Sequence, residues 1–311
     1  MTDFTVLGDA EIMETDITLL RLAKETQLLL ENIGGASNLN VELSYYDPNS
    51  LRQQFCITED LTVRLFDSWW NTTRRQLLIR NKFHKLRQAI YEEGIQRLSS
   101  MSIDAFRSWL TNVFGANLAE LSGKRNWKQF VDEDGAWACL QFIGRFPKTT
   151  HFYDWIVAKV GIECWENARD KWEKYAGLSW QTAEEIAYRM QVPQTARKGI
   201  HGMGTVLICD FLKEVGIDYY GKTDTQVKRV FERLSLIDKH QQEWKTFKLF
   251  WRIAALTGHP PTVVDKSFWI AASGRWDKTL DKALDEDDRR KQQMHRRQHF
   301  SSFLDKFRHT A

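Results

Sequence analysis

Two glycines flank one apolar residue at Gly202-Met203-Gly204, inside the run RKGIHGMGTVLICDFLKEVG of residues 197–216. Val206, Leu207, Ile208, Phe211, Leu212 and Val215 then restart a helical period at once. A helix N-terminus leaves backbone N–H groups unpaired and carries partial positive charge. Glycine at such a place removes the side chains that would keep a ligand at a distance. A phosphate can therefore rest on the turn, held by N–H groups rather than by charged side chains. Lys198 and His201 stand beside it and add donors. Contacts of this kind position a protein on nucleic acid without reading base sequence. The same pattern also serves as a plain helix–helix connection with glycine as C-cap.

A second chemical group follows in GKTDTQVKRVFERL. Asp224 falls at the start of a predicted helix, with Lys222 and Lys228 placed to meet phosphate. The helix dipole favours an anion there. A carboxylate in that position can stabilise a cation developing on a sugar and orient or deprotonate water. Asp265, in PTVVDKSFWI, is the alternative carboxylate; it too follows apolar residues and is expected to open a helix, which makes N-cap its other reading.

Several helices must position these groups. An acidic amphipathic helix is expected over about Glu11–Asn32, ended by NIGGASNLN. VELSYYDPNSLRQQFCI reads as a short β-hairpin, because Asp47-Pro48-Asn49 is turn chemistry between alternating segments. From Thr58 the spacing turns helical, with a break expected near Asn71-Thr72-Thr73. Residues 100–178 read as short helices, and Ser179 as the cap of a helix reaching Arg189. Further helices are expected at about 224–234, 240–256 and 265–272, before a tail that passes from acidic DEDD to basic RRKQQMHRRQH. The fold class is all-α with one hairpin. Its parts are an N-terminal extension (1–99), a helical domain carrying the glycine turn and Asp224 (100–240), and C-terminal helices that return to the N-terminal region (241–311).

Over residues 180–234 the chain resembles the helix-hairpin-helix base-excision DNA glycosylases typified by endonuclease III. IHGMG is similar to that family's Leu-Pro-Gly-Val-Gly turn, and TDTQVKRV to its Val-Asp-Thr-His-x-x-Arg-Val segment, whose Asp is catalytic. The resemblance implies a two-lobed helical fold with the hairpin at its cleft. It implies Asp224 as the catalytic carboxylate, Gly202, Met203 and Gly204 on the DNA backbone, and double-stranded DNA bearing a modified base as partner. Lyase-competent members carry Lys two residues after the last turn glycine; Val206 stands there, which implies a monofunctional enzyme using water. No cysteine follows Cys209, so no iron–sulfur cluster is implied. No cofactor is expected, though the hairpin could hold a monovalent cation. His201 replaces the usual proline, and Asp265 lies farther from the turn than the family's pairing.

The totals bound these readings. With 42% hydrophobic residues and 13% aromatic in 311, the chain has ample material for a core. No apolar stretch suits a membrane span or a signal peptide, so a soluble, cytoplasmic monomer is expected. Cys56, Cys139, Cys164 and Cys209 are scattered, as reduced thiols would be, and the eight histidines have no metal-ligand spacing. Net charge is only +3 but uneven. Residues 1–60 contain Arg21, Lys24 and Arg52 as their sole basic side chains, while residues 74–128 contain Glu92, Glu93, Asp104 and Glu120 as their sole acids. That segregation fits a polyanion partner, and equally fits solvated helix faces. Trp69-Trp70, Trp137, Trp155 and Trp180 are candidates for a base pocket, against the commoner role of core. Three functions stay open: a glycosylase, a non-catalytic DNA-binding module, and a scaffold docking acidic partners.

Overall fold

The computed structural model of the chain describes residues 9–70, 83–114, 133–190, 204–238 and 242–310. Among them the regular elements are helices only, as the apolar spacing predicts. In order they are α1 (Asp9–Gly34), α2 (Ala36–Ser44), α3 (Pro48–Gln54), α4 (Thr58–Trp70), α5 (Phe83–Glu93), α6 (Ile95–Ser100), α7 (Ile103–Phe114) and α8 (Glu133–Ile143). Then come α9 (Thr149–Val160), α10 (Trp172–Arg189), α11 (Thr205–Glu214), α12 (Thr225–Arg233), α13 (Gln242–Thr257), α14 (Pro261–Ser273) and α15 (Glu286–Thr310). No described helix is long and apolar enough to cross a membrane. The four cysteines are free thiols. The break expected near Asn71 lies outside the described residues.

The expected hairpin is two helices. Its apparent alternation misleads because Val41 is about half exposed while Glu42 is fully buried, the reverse of what a strand would need. The Glu42 carboxylate turns inward to accept hydrogen bonds from the backbone N–H groups of Lys278 (2.6 Å) and Thr279 (2.9 Å). The turn itself survives, closed by Tyr46 N to Leu43 O and Asp47 N to Ser44 O at 3.0 Å each. Pro48 then opens α3 at its first position, where its missing N–H costs nothing. Ser179 is likewise no cap: it is buried inside α10, whose helix begins seven residues earlier at Trp172. Pro261 rather than Asp265 begins α14.

The chain divides into two compact units, each assembled from segments distant in sequence. One comprises residues 1–47, 163–177 and 218–311. In it α1 packs on α13 and α14, and α14 on α12, α13 and α15. Phe231, Phe250 and Phe268 meet in its core, with Phe231 and Phe268 edge to face at 5.3 Å. Gly34 lies so close to Trp276 that a Cβ would stand 2.4 Å from the indole, which explains glycine at the end of a long helix. The second unit comprises residues 48–162 and 178–217. There α4 packs on α8 and α11, burying Leu61, Leu65 and Phe66 from one side and Ile208, Phe211 and Leu212 from the other. Each such side chain contributes roughly 1.5–3 kcal/mol by leaving water.

Candidate functional site

Asp224 caps α12. Its backbone is extended (φ −77°, ψ 166°), and Oδ1 accepts hydrogen bonds from the N–H groups of Gln226 (2.8 Å) and Val227 (3.1 Å). The helix behind it is strongly two-faced: Val227, Val230 and Phe231 are buried, while Arg229 is exposed. Among the described residues Oδ2 accepts no hydrogen bond from the chain. The carboxylate is half-buried, oriented through one oxygen and uncommitted through the other.

What fixes Asp224 is the extended segment before it. Asp218 accepts from the Trp165 backbone N–H through both carboxylate oxygens, at 3.2 and 3.3 Å. Thr262, at the start of α14, brings its hydroxyl within 2.7 Å of the carbonyl oxygens of both Asp218 and Tyr220, and its N–H donates to Asp218 O at 3.1 Å. Tyr219 and Tyr220 are buried. At Gly221 a Cβ would lie 2.8 Å from Phe250 and 3.1 Å from Asp265, so only glycine lets the backbone sit this deep. The Lys222 N–H then donates to Asp265 Oδ2 at 2.9 Å, and Asp224 N closes a tight turn onto Lys222 O at 2.8 Å. Thr223 is fully buried, and its hydroxyl has no partner among the described residues.

Asp265 thus differs from its expected helix-start role. It sits inside α14, 1% exposed, and its carboxylate holds the backbone that carries Asp224. Sequence reading singled out the residue but not this partner, and it passed over Thr262 and Asp218 altogether. The signal was there in part. A Thr three residues ahead of an Asp, behind two prolines that open a helix, puts the two within one turn of each other on the same side of that helix. Lys222 is half-buried, and Lys228 pairs with Glu243 of α13 at 3.6 Å, so part of its charge is already answered within the unit.

The glycine turn is described only at its last residue; Lys198, His201, Gly202 and Met203 lie outside the described residues. Gly204 is the N-cap of α11, with φ −67° and ψ 162°, and no side chain among the described residues caps this end. Those angles suit any residue. A Cβ added there meets nothing within 4 Å among the described residues. Neither the backbone conformation nor packing among the described residues demands glycine at this position.

The unit around α11 holds it firmly. Ile208, Phe211 and Leu212 are buried, Lys213 lies 3.5 Å from Asp210, and Arg64 reaches Glu214 at 3.0 Å. Gly216 closes the helix at φ +86°, where a Cβ would strike Pro48 O at 2.7 Å. Tyr153 donates its hydroxyl to Val215 O at 2.8 Å, and burial raises that phenol well above its ordinary range. Three of the Trp candidates have structural roles in this unit. Trp137 donates to Met101 O (3.0 Å), Trp180 donates to Glu184 (2.8 Å), and Trp155 packs on Phe142 and Phe146. The side chains of Trp69 and Trp70 lie outside the described residues. Among the described residues no cluster of three His, Cys, Asp or Glu side chains could hold a metal ion.

The described residues present one oriented carboxylate and, in the other unit, one helix end that none of their side chains caps. No family model, curated protein or solved structure matches the chain.

Proposed function

We propose that the chain is a monofunctional DNA N-glycosylase that excises a modified or mispaired base with Asp224. The observation that carries this reading is the state of that carboxylate: a backbone pinned from Asp218 to Lys222, one oxygen fixed by two N–H groups, the other uncommitted. A group so held costs little reorganisation when charge develops opposite it, which is how preorganised electrostatic stabilisation works. Breaking an N-glycosidic bond builds positive charge on the deoxyribose. Oδ2 faces that charge or takes the proton of the attacking water; the water oxygen bonds to the sugar carbon as the base departs with the bonding electron pair and gains a proton. Flipping the base out of the stack costs about a few kcal/mol, least for a mispaired or damaged base. The Gly204 end of α11 holds a backbone phosphate through its N–H groups.

The test is formation of abasic sites, read with an aldehyde-reactive probe on normal, alkylated, deaminated and naturally hypermodified DNA. Wild type should make them on one of these and Asp224→Asn on none. Equal yields from both proteins would refute the role of Asp224.

A second reading has its own support. The capping bonds of Asp224 are by themselves a sufficient reason for Asp at a helix start. On that reading the chain is a non-catalytic DNA-binding module. Binding would then fall steeply with salt and no base would be released from any of the four DNAs.

A further inference from the structure

The unit that contains Asp224 also contains a cavity of about 340 Å³ between α1, α13 and α14. Its size is that of a small-molecule site. The wall is mainly apolar, built by Ala23 on α1, Ile253 and Leu256 on α13, and Val263 and Phe268 on α14. No residue of the Asp218–Asp224 segment lines it. On α14, Val263 and Ser267 each stand two residues from Asp265, about 200° around the helix. Val264 and Phe268, one and three residues from Asp265, also line it, so the cavity lies to one side of the edge of α14 that holds the Asp224 segment rather than on it.

Two features point to an occupant. The first is Thr26, which lines the cavity, is 1% exposed, and has a hydroxyl without a partner among the described residues. A helical Thr or Ser normally returns its hydroxyl to the carbonyl one turn back. Thr257 and Ser267, in the same wall, do so at 2.9 Å, to Ile253 and Val263. Thr26 does not, and a buried polar group left unpaired is unfavourable unless something else pairs with it. The second is the mouth, where Lys24 supplies a positive charge and the exposed His259 imidazole a ring N–H donor. Among the described residues no carboxylate lines the cavity.

We propose that this cavity is a binding site for a small organic anion with a mainly apolar, aromatic body and one hydrogen-bonding atom within it. The body lies against Ile253 and Phe268, the inner polar atom pairs with Thr26, and the anionic head meets Lys24 and His259. The site rests on none of the residues assigned to glycosidic cleavage, so it stands or falls separately.

The full-length chain would be titrated with anilinonaphthalene sulfonate, an aromatic anion with an inner N–H, and with its neutral analogue N-phenyl-1-naphthylamine. One saturable site per chain is expected for the anion. Ser267→Phe, which fills the cavity, should abolish it. Lys24→Gln/His259→Gln should weaken the anion by about tenfold, the scale of one lost charge-assisted hydrogen bond, and leave the neutral analogue unchanged. Absence of saturable binding would overturn the proposal, as would a folded Ser267→Phe protein binding like wild type. Should Ser267→Phe fail to fold, the surface double variant decides: unchanged anion affinity refutes the site. Asp224→Asn should bind the probe as wild type does.

Discussion

Two helix N-termini lie about twenty residues apart in the chain, and they are finished in opposite ways. At Asp224 the chain caps its own helix: the carboxylate takes two of the orphan N–H groups, and the backbone before it is tied down by Thr262 and Asp265. At Gly204, among the described residues, the helix has no side-chain cap and a Cβ would meet nothing within 4 Å. A helix end that satisfies itself is fit to hold a side chain still. A helix end that no described side chain caps, on a residue that neither its angles nor the described packing require to be glycine, is fit to receive an oxygen from outside. The same backbone groups therefore support two jobs, and the difference lies in one side chain.

The largest effect should come from separating charge from capping at Asp224. Asn caps a helix about as well as Asp, so Asp224→Asn should alter stability by only a few tenths of a kcal/mol. Its abasic-site yield should nevertheless fall by about 10²-fold or more, the usual scale for losing one preorganised stabilising group. Asp224→Ala should match that loss and in addition cost about 1 kcal/mol of stability in a denaturant titration. If the two variants differ in stability while both keep wild-type activity, the residue is a cap and nothing else.

Next in size is the anchor. Thr262→Val keeps the shape of the side chain but removes the hydroxyl shared by the carbonyls of Asp218 and Tyr220. It should cost about 1–3 kcal/mol, the range for leaving buried polar groups unpaired. Activity should fall with it if the Asp218–Lys222 segment must be rigid for Asp224 to act. Duplex affinity should stay near wild type. A variant that loses stability and keeps full turnover would show that the pinning serves the fold alone.

How much of this could be read beforehand depends on the range of the interactions. The helices were legible from local apolar spacing, and so was a helix starting just after Asp224, because caps and periodicity act within a few residues. The hairpin at 41–57 misled for the same reason. Locally Val-Glu-Leu-Ser-Tyr alternates, but Glu42 is drawn inward by N–H groups more than two hundred residues away, and no local pattern carries that information. Asp265 shows the limit at the site. Its type and helix context were visible, whereas its burial and its bond to Lys222 N–H arise only when α14 packs beside the incoming segment. Ser179 reads as a cap because a polar residue shortly after a glycine and before acidic residues looks like a helix start; tertiary packing carries α10 straight through it.

The smallest effect on stability, and the sharpest on the comparison, should come from giving Gly204 the finish that Asp224 already has. Its angles allow any residue and a new Cβ meets nothing within 4 Å among the described residues, so Gly204→Asp should be accommodated without backbone strain. The added carboxylate should cap α11, and since Gly and Asp differ little as caps, stability should rise by no more than a few tenths of a kcal/mol. If the bare end receives phosphate, the same carboxylate fills the place of the ligand and repels it. Duplex affinity at low salt should then fall by about tenfold, and the slope of log affinity against log salt should lose about 0.9, the share of one phosphate contact. Asp224 would be untouched, so probe binding and folding serve as internal controls. An unchanged salt slope in a folded Gly204→Asp protein would mean that this helix end receives no phosphate, and that glycine stands there for a reason the described residues do not contain.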